Sequence, residues 1–151
     1  MTKRVLSDYM AVKQLFAPKN YGSGSLVATD CTTNPTIDGY DHATFVLSLG
    51  AATSDDTIDV AIQWASGGAG SNCAEISGAT DAFFAQCNTD VLNTVRILEL
   101  DFREAGMETG VLGATLAVAD SDALLGLNVF LYGGNNTSSN IVQDATPKRT
   151  W

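Results

Sequence analysis

The segment with most control over the fold is residues 39–78, GYDHATFVLSLGAATSDDTIDVAIQWASGGAGSNCAEISG. In it Phe45, Leu47 and Leu49, and again Ile58, Val60, Ile62 and Trp64, alternate with polar or small residues. A repeat of two puts every second side chain on one face, the signature of a half-buried β-strand. A polar connector, residues 51–56, separates the two runs. Beyond Trp64 the stretch Ser66-Gly67-Gly68-Ala69-Gly70-Ser71 is loop chemistry, and a short run resumes at Ala74-Glu75-Ile76. Consecutive one-sided strands with short polar links predict an antiparallel meander with one wet face.

The rest of the chain repeats this pattern. Residues 26–31 read as a first strand, and Thr32-Thr33-Asn34-Pro35 as a turn leading through Ile37-Asp38-Gly39-Tyr40 into the meander. Periodicity fades over residues 79–90, read as a long connection. It returns over residues 91–103, with Leu98, Leu100 and Phe102 inward and Glu99, Asp101 and Arg103 outward. After a turn at Glu104-Ala105-Gly106, Leu112, Ala114, Leu116 and Val118 form the expected partner strand. Residues 125–132 are apolar on both faces, so that last strand should be central or covered by another subunit.

Seven to eight short strands with turn signals between them predict an all-β fold, an antiparallel β-sandwich or jelly roll, occupying residues 25–134. Residues 1–24 form an N-terminal arm, in which Val5, Tyr9, Val12 and Phe16 at helical spacing allow a short helix as well as an extended course. Residues 135–151 are polar and form a C-terminal arm ending in Trp151.

Charge separates the arms from the body. Residues 20–147 hold sixteen of the seventeen acids and only two cations, Arg96 and Arg103, a net charge of −14. The ends carry Lys3, Arg4, Lys13, Lys19, Lys148 and Arg149 and sum to +5. An acidic body repels phosphate backbones, so no nucleic-acid partner is expected. The basic arms, with Trp151 as an apolar anchor, are candidate contacts to a partner surface; solvated tails are the plainer alternative.

No cofactor or metal site is expected. Three cysteines, Cys31, Cys73 and Cys87, lack metal-type spacing and are read as free, partly buried thiols. The single histidine, His42, follows Asp41, but consecutive strand residues face opposite sides, so no catalytic pair forms between them and no enzyme is expected. Asp55-Asp56 and Asp120-Ser121-Asp122 lack the ordered spacing of a calcium loop and read as turns. Trp64 and Tyr40 could stack a sugar, although the inward phase of Trp64 favours core packing. With no apolar run near the roughly 20 residues of a membrane span and no cleavable leader, a chain made in the cytosol with no membrane partner is expected.

The motifs Asp38-Gly39-Tyr40, Ala43-Thr44-Phe45-Val46, Leu49-Gly50, Ile62-Gln63 with Ser66, Gly70-Ser71, Glu75-Ile76-Ser77-Gly78-Ala79 and the glycine-closed strand over residues 129–133 together resemble a known group. They look like small tailed-phage virion proteins, similar to the jelly-roll cement or decoration proteins that bind the outside of icosahedral capsids. The resemblance covers residues 26–134. It departs at residues 95–103, where that family often has an Arg- and Tyr-rich strand, and at Gly67-Gly68, where acidic residues are usual. It implies a structural virion protein whose partners are a major capsid protein and further copies of itself, as a dimer or trimer, on the outer capsid surface. A carbohydrate-binding module on a fibre or tail, and a head-completion or tail component, are the competing expectations.

Overall fold

A computed structural model describes residues 10–22, 26–28, 35–52, 57–66, 73–76, 93–119 and 122–133. They form eight strands and, among the described residues, no helix: β1 (Met10–Tyr21), β2 (Leu26–Ala28), β3 (His42–Ala52), β4 (Thr57–Ala65), β5 (Ala74–Glu75), β6 (Thr94–Asp101), β7 (Val111–Ala119) and β8 (Ala123–Tyr132). Two four-stranded sheets result, sheet A in the order β1-β8-β3-β6 and sheet B in the order β2-β7-β4-β5.

This order is a jelly roll. The antiparallel pairs β1·β8, β2·β7 and β4·β5 in one set, with β3·β6, are those of a single long hairpin folded at β4–β5. Rolling that ribbon up brings β8 beside β3 and β7 beside β4. Every sequence-adjacent pair except β4–β5 therefore lies in opposite sheets.

The all-β sandwich expectation holds, and β8 is central in sheet A as its two apolar faces require. The meander does not. Phe45, Leu47 and Leu49 on β3 lie in sheet A, whereas Ile58, Val60 and Ile62 on β4 lie in sheet B, so the two runs belong to opposite layers of the sandwich and are not hydrogen-bonded neighbours. Likewise β7 is paired with β2 and β4, not with β6. The inward residues were read correctly in each case because burial fixes the face of a strand, while the choice of neighbour is fixed by the roll.

The N-terminal reading also needs correction. From Met10 onward the chain is neither a helix nor a free arm; it is the edge strand of sheet A, bonded along β8 from Met10↔Tyr132 to Tyr21↔Ala123. Leu15, Phe16 and Tyr21 are buried in the core. The register shifts between Gln14 and Phe16, and between Phe16 and Lys19. Such bulges add residues to one strand and break its period of two, so Val12 faces water while Phe16, four residues on, is buried.

The two inner faces close on each other with Phe45, Leu47, Leu125, Leu127, Val129, Ile62, Leu112 and Leu116 at 0–1% exposure. One end of the sandwich is plugged by Ile37, Phe102 and Met107. Backbone bonds fix that plug: Ile37 N–H to Gly110 O at 2.9 Å, Met107 N–H to Phe102 O at 2.7 Å and Leu112 N–H to Pro35 O at 3.0 Å. Fully burying side chains of this size is worth about 1.5–3 kcal/mol each, enough to set the layer geometry on which the surface described next depends.

Cys73 is disulfide-bonded, which corrects the expectation of free thiols at that position; its partner lies outside the described residues. An odd count argues against a framework of bridges and leaves room for one. The arm over residues 135–151, the connection over 79–90 and the loop over 67–71 lie outside the described residues as well.

Candidate contact surface

Two features of sheet A carry chemistry: a polar cluster at one end and an apolar stripe across the outer face. The cluster is built by register. His42 opposes Asp101 on β6 and Tyr132 on β8, so three chemically distinct side chains share one row of the outer face. The His42 ring stacks on Tyr132 with centroids 5.4 Å apart and 26° between planes. Its Nδ1 lies 3.5 Å from Asp101 Oδ2. Thr44 Oγ1 donates to the Tyr132 hydroxyl at 3.2 Å.

Asp101 also ties the following turn. Its Oδ1 accepts the amides of Arg103 at 2.8 Å and Glu104 at 3.1 Å. The bond from the Glu104 amide does most to hold this carboxyl below its ordinary range, with the Arg103 amide and the charges of His42 and Arg103 acting in the same sense against partial desolvation. Arg103 reaches back to Asp41 Oδ1 at 3.3 Å. The carboxylate paired with His42 is Asp101, fifty-nine positions away and invisible to local pattern. The tyrosine and threonine hydroxyls are engaged with each other, so the cluster works as a clasp between β3, β6 and β8.

The stripe also follows from register. On the outer face Val12 opposes Phe130, Val46 opposes Ile97 and Asn128, and Val95 opposes Ser48. Val12, Phe130, Val46, Ile97 and Val95 thus form a diagonal across all four strands. Three of them are well exposed: Val12 at 54%, Val95 at 60% and Ile97 at 64%. Apolar side chains grouped on a surface in this way mark a contact site more often than chance exposure does.

The sequence-predicted contacts fall in two groups. Lys3, Arg4, Lys148, Arg149 and Trp151 lie outside the described residues. Lys13 and Lys19 belong to β1, opposite the core residues Val129 and Leu125. Lys19 places its ammonium 4.9 Å over the Tyr21 ring. The pair is therefore not on a free arm. Together with Pro18 and two bulges it gives the β1 edge features that oppose strand addition. What sequence reading missed was the outward half of β6: the phase of Leu98, Leu100 and Phe102 already implied that Val95 and Ile97 face water.

The two aromatics considered for sugar stacking are committed to the body. Tyr40 is buried, and burial raises its hydroxyl pKa. Trp64 is half-buried, and its indole N–H donates to Thr109 O at 3.1 Å.

Comparison with known proteins adds to this geometry. No protein-family model matches the chain, and no curated protein matches it in sequence. Solved structures do match in shape. A chain from the structure of the infectious bursal disease virus Gx strain aligns with a TM-score of 0.52 at 9% identity, over 87% of this chain and 34% of its own length. A chain of the infectious bursal disease virus VP2 subviral particle aligns with a TM-score of 0.51 at 12% identity, again over 87% and 34%. The likeness is one of fold. It is a likeness to viral capsid proteins with a jelly roll, and this chain spans about a third of each.

Proposed function

We propose that this chain is a structural virion protein that acts by adhesion, binding the outer surface of a capsid and stabilising it, and that it does so without catalysis. The observation that carries the reading is the jelly-roll strand order, β1-β8-β3-β6 over β2-β7-β4-β5, in a body whose fold neighbours are viral capsid proteins. The apolar stripe on sheet A supports it. A protein of this kind needs a rigid block, a surface that stays sticky after folding and many symmetric copies, so that each weak contact is multiplied. The motif resemblance described above favours a cement or decoration role on a tailed-phage head, with a major capsid protein as partner.

The test is occupancy and strength of assembled heads. Heads carrying the chain should retain it through sedimentation, and heads stripped of it should open at a lower temperature and recover on adding it back. Ligands that bind only the assembled state stabilise it by mass action, so the shift should grow with added protein until sites are full. Purified heads that contain none of the chain, or that resist heat equally with and without it, would overturn the proposal. Detection of only a ring's worth of copies would place it in the head-completion or tail class instead.

A further inference from the structure

The two long edges of sheet A are treated in opposite ways. β1 is interrupted by two register shifts and carries Lys13, Pro18 and Lys19. β6 pairs with β3 through eight consecutive residues, His42↔Asp101 to Leu49↔Thr94, with no shift and no proline. In sheet B the edge strands β2 and β5 are only three and two residues long. Proteins blunt exposed edges with bulges, prolines, charged side chains (lysine above all) and short length. Among the described edges β6 alone is long, regular and without proline or lysine; its charges are Arg96 in the inward phase and Glu99 and Asp101 in the outward one, and it presents Val95 and Ile97 to water.

The phase of its backbone is fixed too. The Phe102 amide donates to Asp41 O at 2.9 Å, so Phe102 belongs to a hydrogen-bonded pair with β3. In an antiparallel ladder such pairs alternate, and even-numbered β6 residues therefore turn their N–H and C=O groups toward β3. Val95, Ile97 and Glu99 turn theirs away from β3; the alternation ends at Asn93, whose φ is 56° and whose amide donates to Gly50 O at 3.3 Å.

We infer that β6 is a dimerisation edge: a second copy of this chain adds its own β6, antiparallel, across a two-fold axis through Ile97. That register is self-complementary. It opposes Ile97 to Ile97 of the second copy and Val95 to Glu99, all three pairs drawing on outward-facing backbone groups and none placing like charges opposite each other. On the outer face the apolar stripe of one copy, which ends at Ile97 and Val95, continues into that of the other. Charge does not oppose this register: Arg96 and Arg103, the only cations between residues 20 and 147, lie on this strand and its turn beside Glu99, Asp101 and Glu104, and the register sets Arg96 opposite Leu98 and Glu99 opposite Val95. Strand addition at a sheet edge is a general mode of recognition in which backbone bonds supply affinity and side chains supply register. The inference does not depend on the virion reading.

The test uses the full-length chain and three substitutions. Sedimentation equilibrium over a rising concentration series should show a monomer–dimer equilibrium. Ile97→Pro deletes only an outward N–H, so the fold and its melting temperature should persist while dimerisation weakens by about thirtyfold, the loss of two hydrogen bonds per dimer. Ile97→Lys should do the same by charge, and covers the case in which proline disturbs the strand. Ile97→Cys should form a covalent dimer under mild oxidant, over the wild-type background, because a hydrogen-bonded pair holds its Cα atoms about 5.5 Å apart, within disulfide reach. Val95→Cys should not, since the same register separates the two Val95 residues by about 13 Å. A monomer across the whole series would overturn the inference. So would a dimer unaffected by both Ile97→Pro and Ile97→Lys, or cross-linking of Val95→Cys as efficient as that of Ile97→Cys.

Discussion

Gly110 offers the most exacting test of the packing at the plugged end of the sandwich. Its φ of +135° is a region reserved for glycine, and a Cβ built there would lie 2.3 Å from Ala65 O and 2.4 Å from Trp64 Nε1. Neither obstacle is a flexible tip: one is the backbone of β4 and the other an indole anchored to Thr109 O. Gly110 also donates to Asp38 Oδ1 at 3.0 Å and accepts from Ile37. Backbone strain of this kind costs about 1–3 kcal/mol, and moving the turn to relieve the overlap gives up one or two hydrogen bonds at about 1 kcal/mol each. The expected loss for Gly110→Ala is therefore roughly 3–4 kcal/mol, which in a domain of this size lowers the melting temperature by about 6–16 °C. Gly106→Ala is the internal control: φ is +69° but nothing lies within 4 Å of the added methyl, so only the left-handed strain of about 1–2 kcal/mol applies. Thermal denaturation followed by far-ultraviolet circular dichroism reads both. Equal melting temperatures for the two variants would refute the steric argument, because they would mean that the Trp64–Thr109 contact is not holding the turn against β4.

Three further outcomes are expected. Gly126→Ala places a methyl 3.1 Å from the Pro18 Cα and Cβ, so β1 must shift by a few tenths of an ångström; amide exchange should speed up selectively in β1, and Gly126→Val should expose that strand altogether. Asp101 has a folded pKa below its ordinary 3.8, so its contribution is complete above that value and disappears as pH falls through the lower folded value; Asp101→Asn should lower the melting temperature at neutral pH, and the gap to the wild type should close as pH falls below about 3.8. Replacing both Lys13 and Lys19 by isoleucine removes charge from the β1 edge and should raise light scattering on heating, whereas no increase would mean that the bulges and Pro18 suffice as guards.

The faces of the strands were legible in the sequence because burial acts on each strand separately. Phe45, Leu47 and Leu49, then Leu112, Ala114, Leu116 and Val118, announce their inward side by a period of two, and all are buried. Strand pairing was not legible. Consecutive strands of a jelly roll look like a meander from within, since a short polar link serves equally for a hairpin and for a crossing between layers. β1 was obscured by its bulges, which bring Leu15 and Phe16 inward together and break the period of two. The His42–Asp101 clasp could not be found by proximity in the chain, because it exists only once β3 and β6 are in register.

These observations connect the edges of the sandwich to its use. A rolled ribbon with eight strands leaves four edges, and a soluble block would be expected to guard them all. Here two are short, one is interrupted and lysine-bearing, and the last is regular with its apolar residues facing outward. Guarding by bulge, proline and lysine costs little in sequence, as β1 demonstrates within the same sheet, and β6 uses none of the three. A regular edge on an acidic body gives association with a direction: repulsion limits contact elsewhere, and one register supplies it here. That combination suits a protein whose work is to sit in repeated positions on a larger assembly, where each copy must present the same edge in the same orientation.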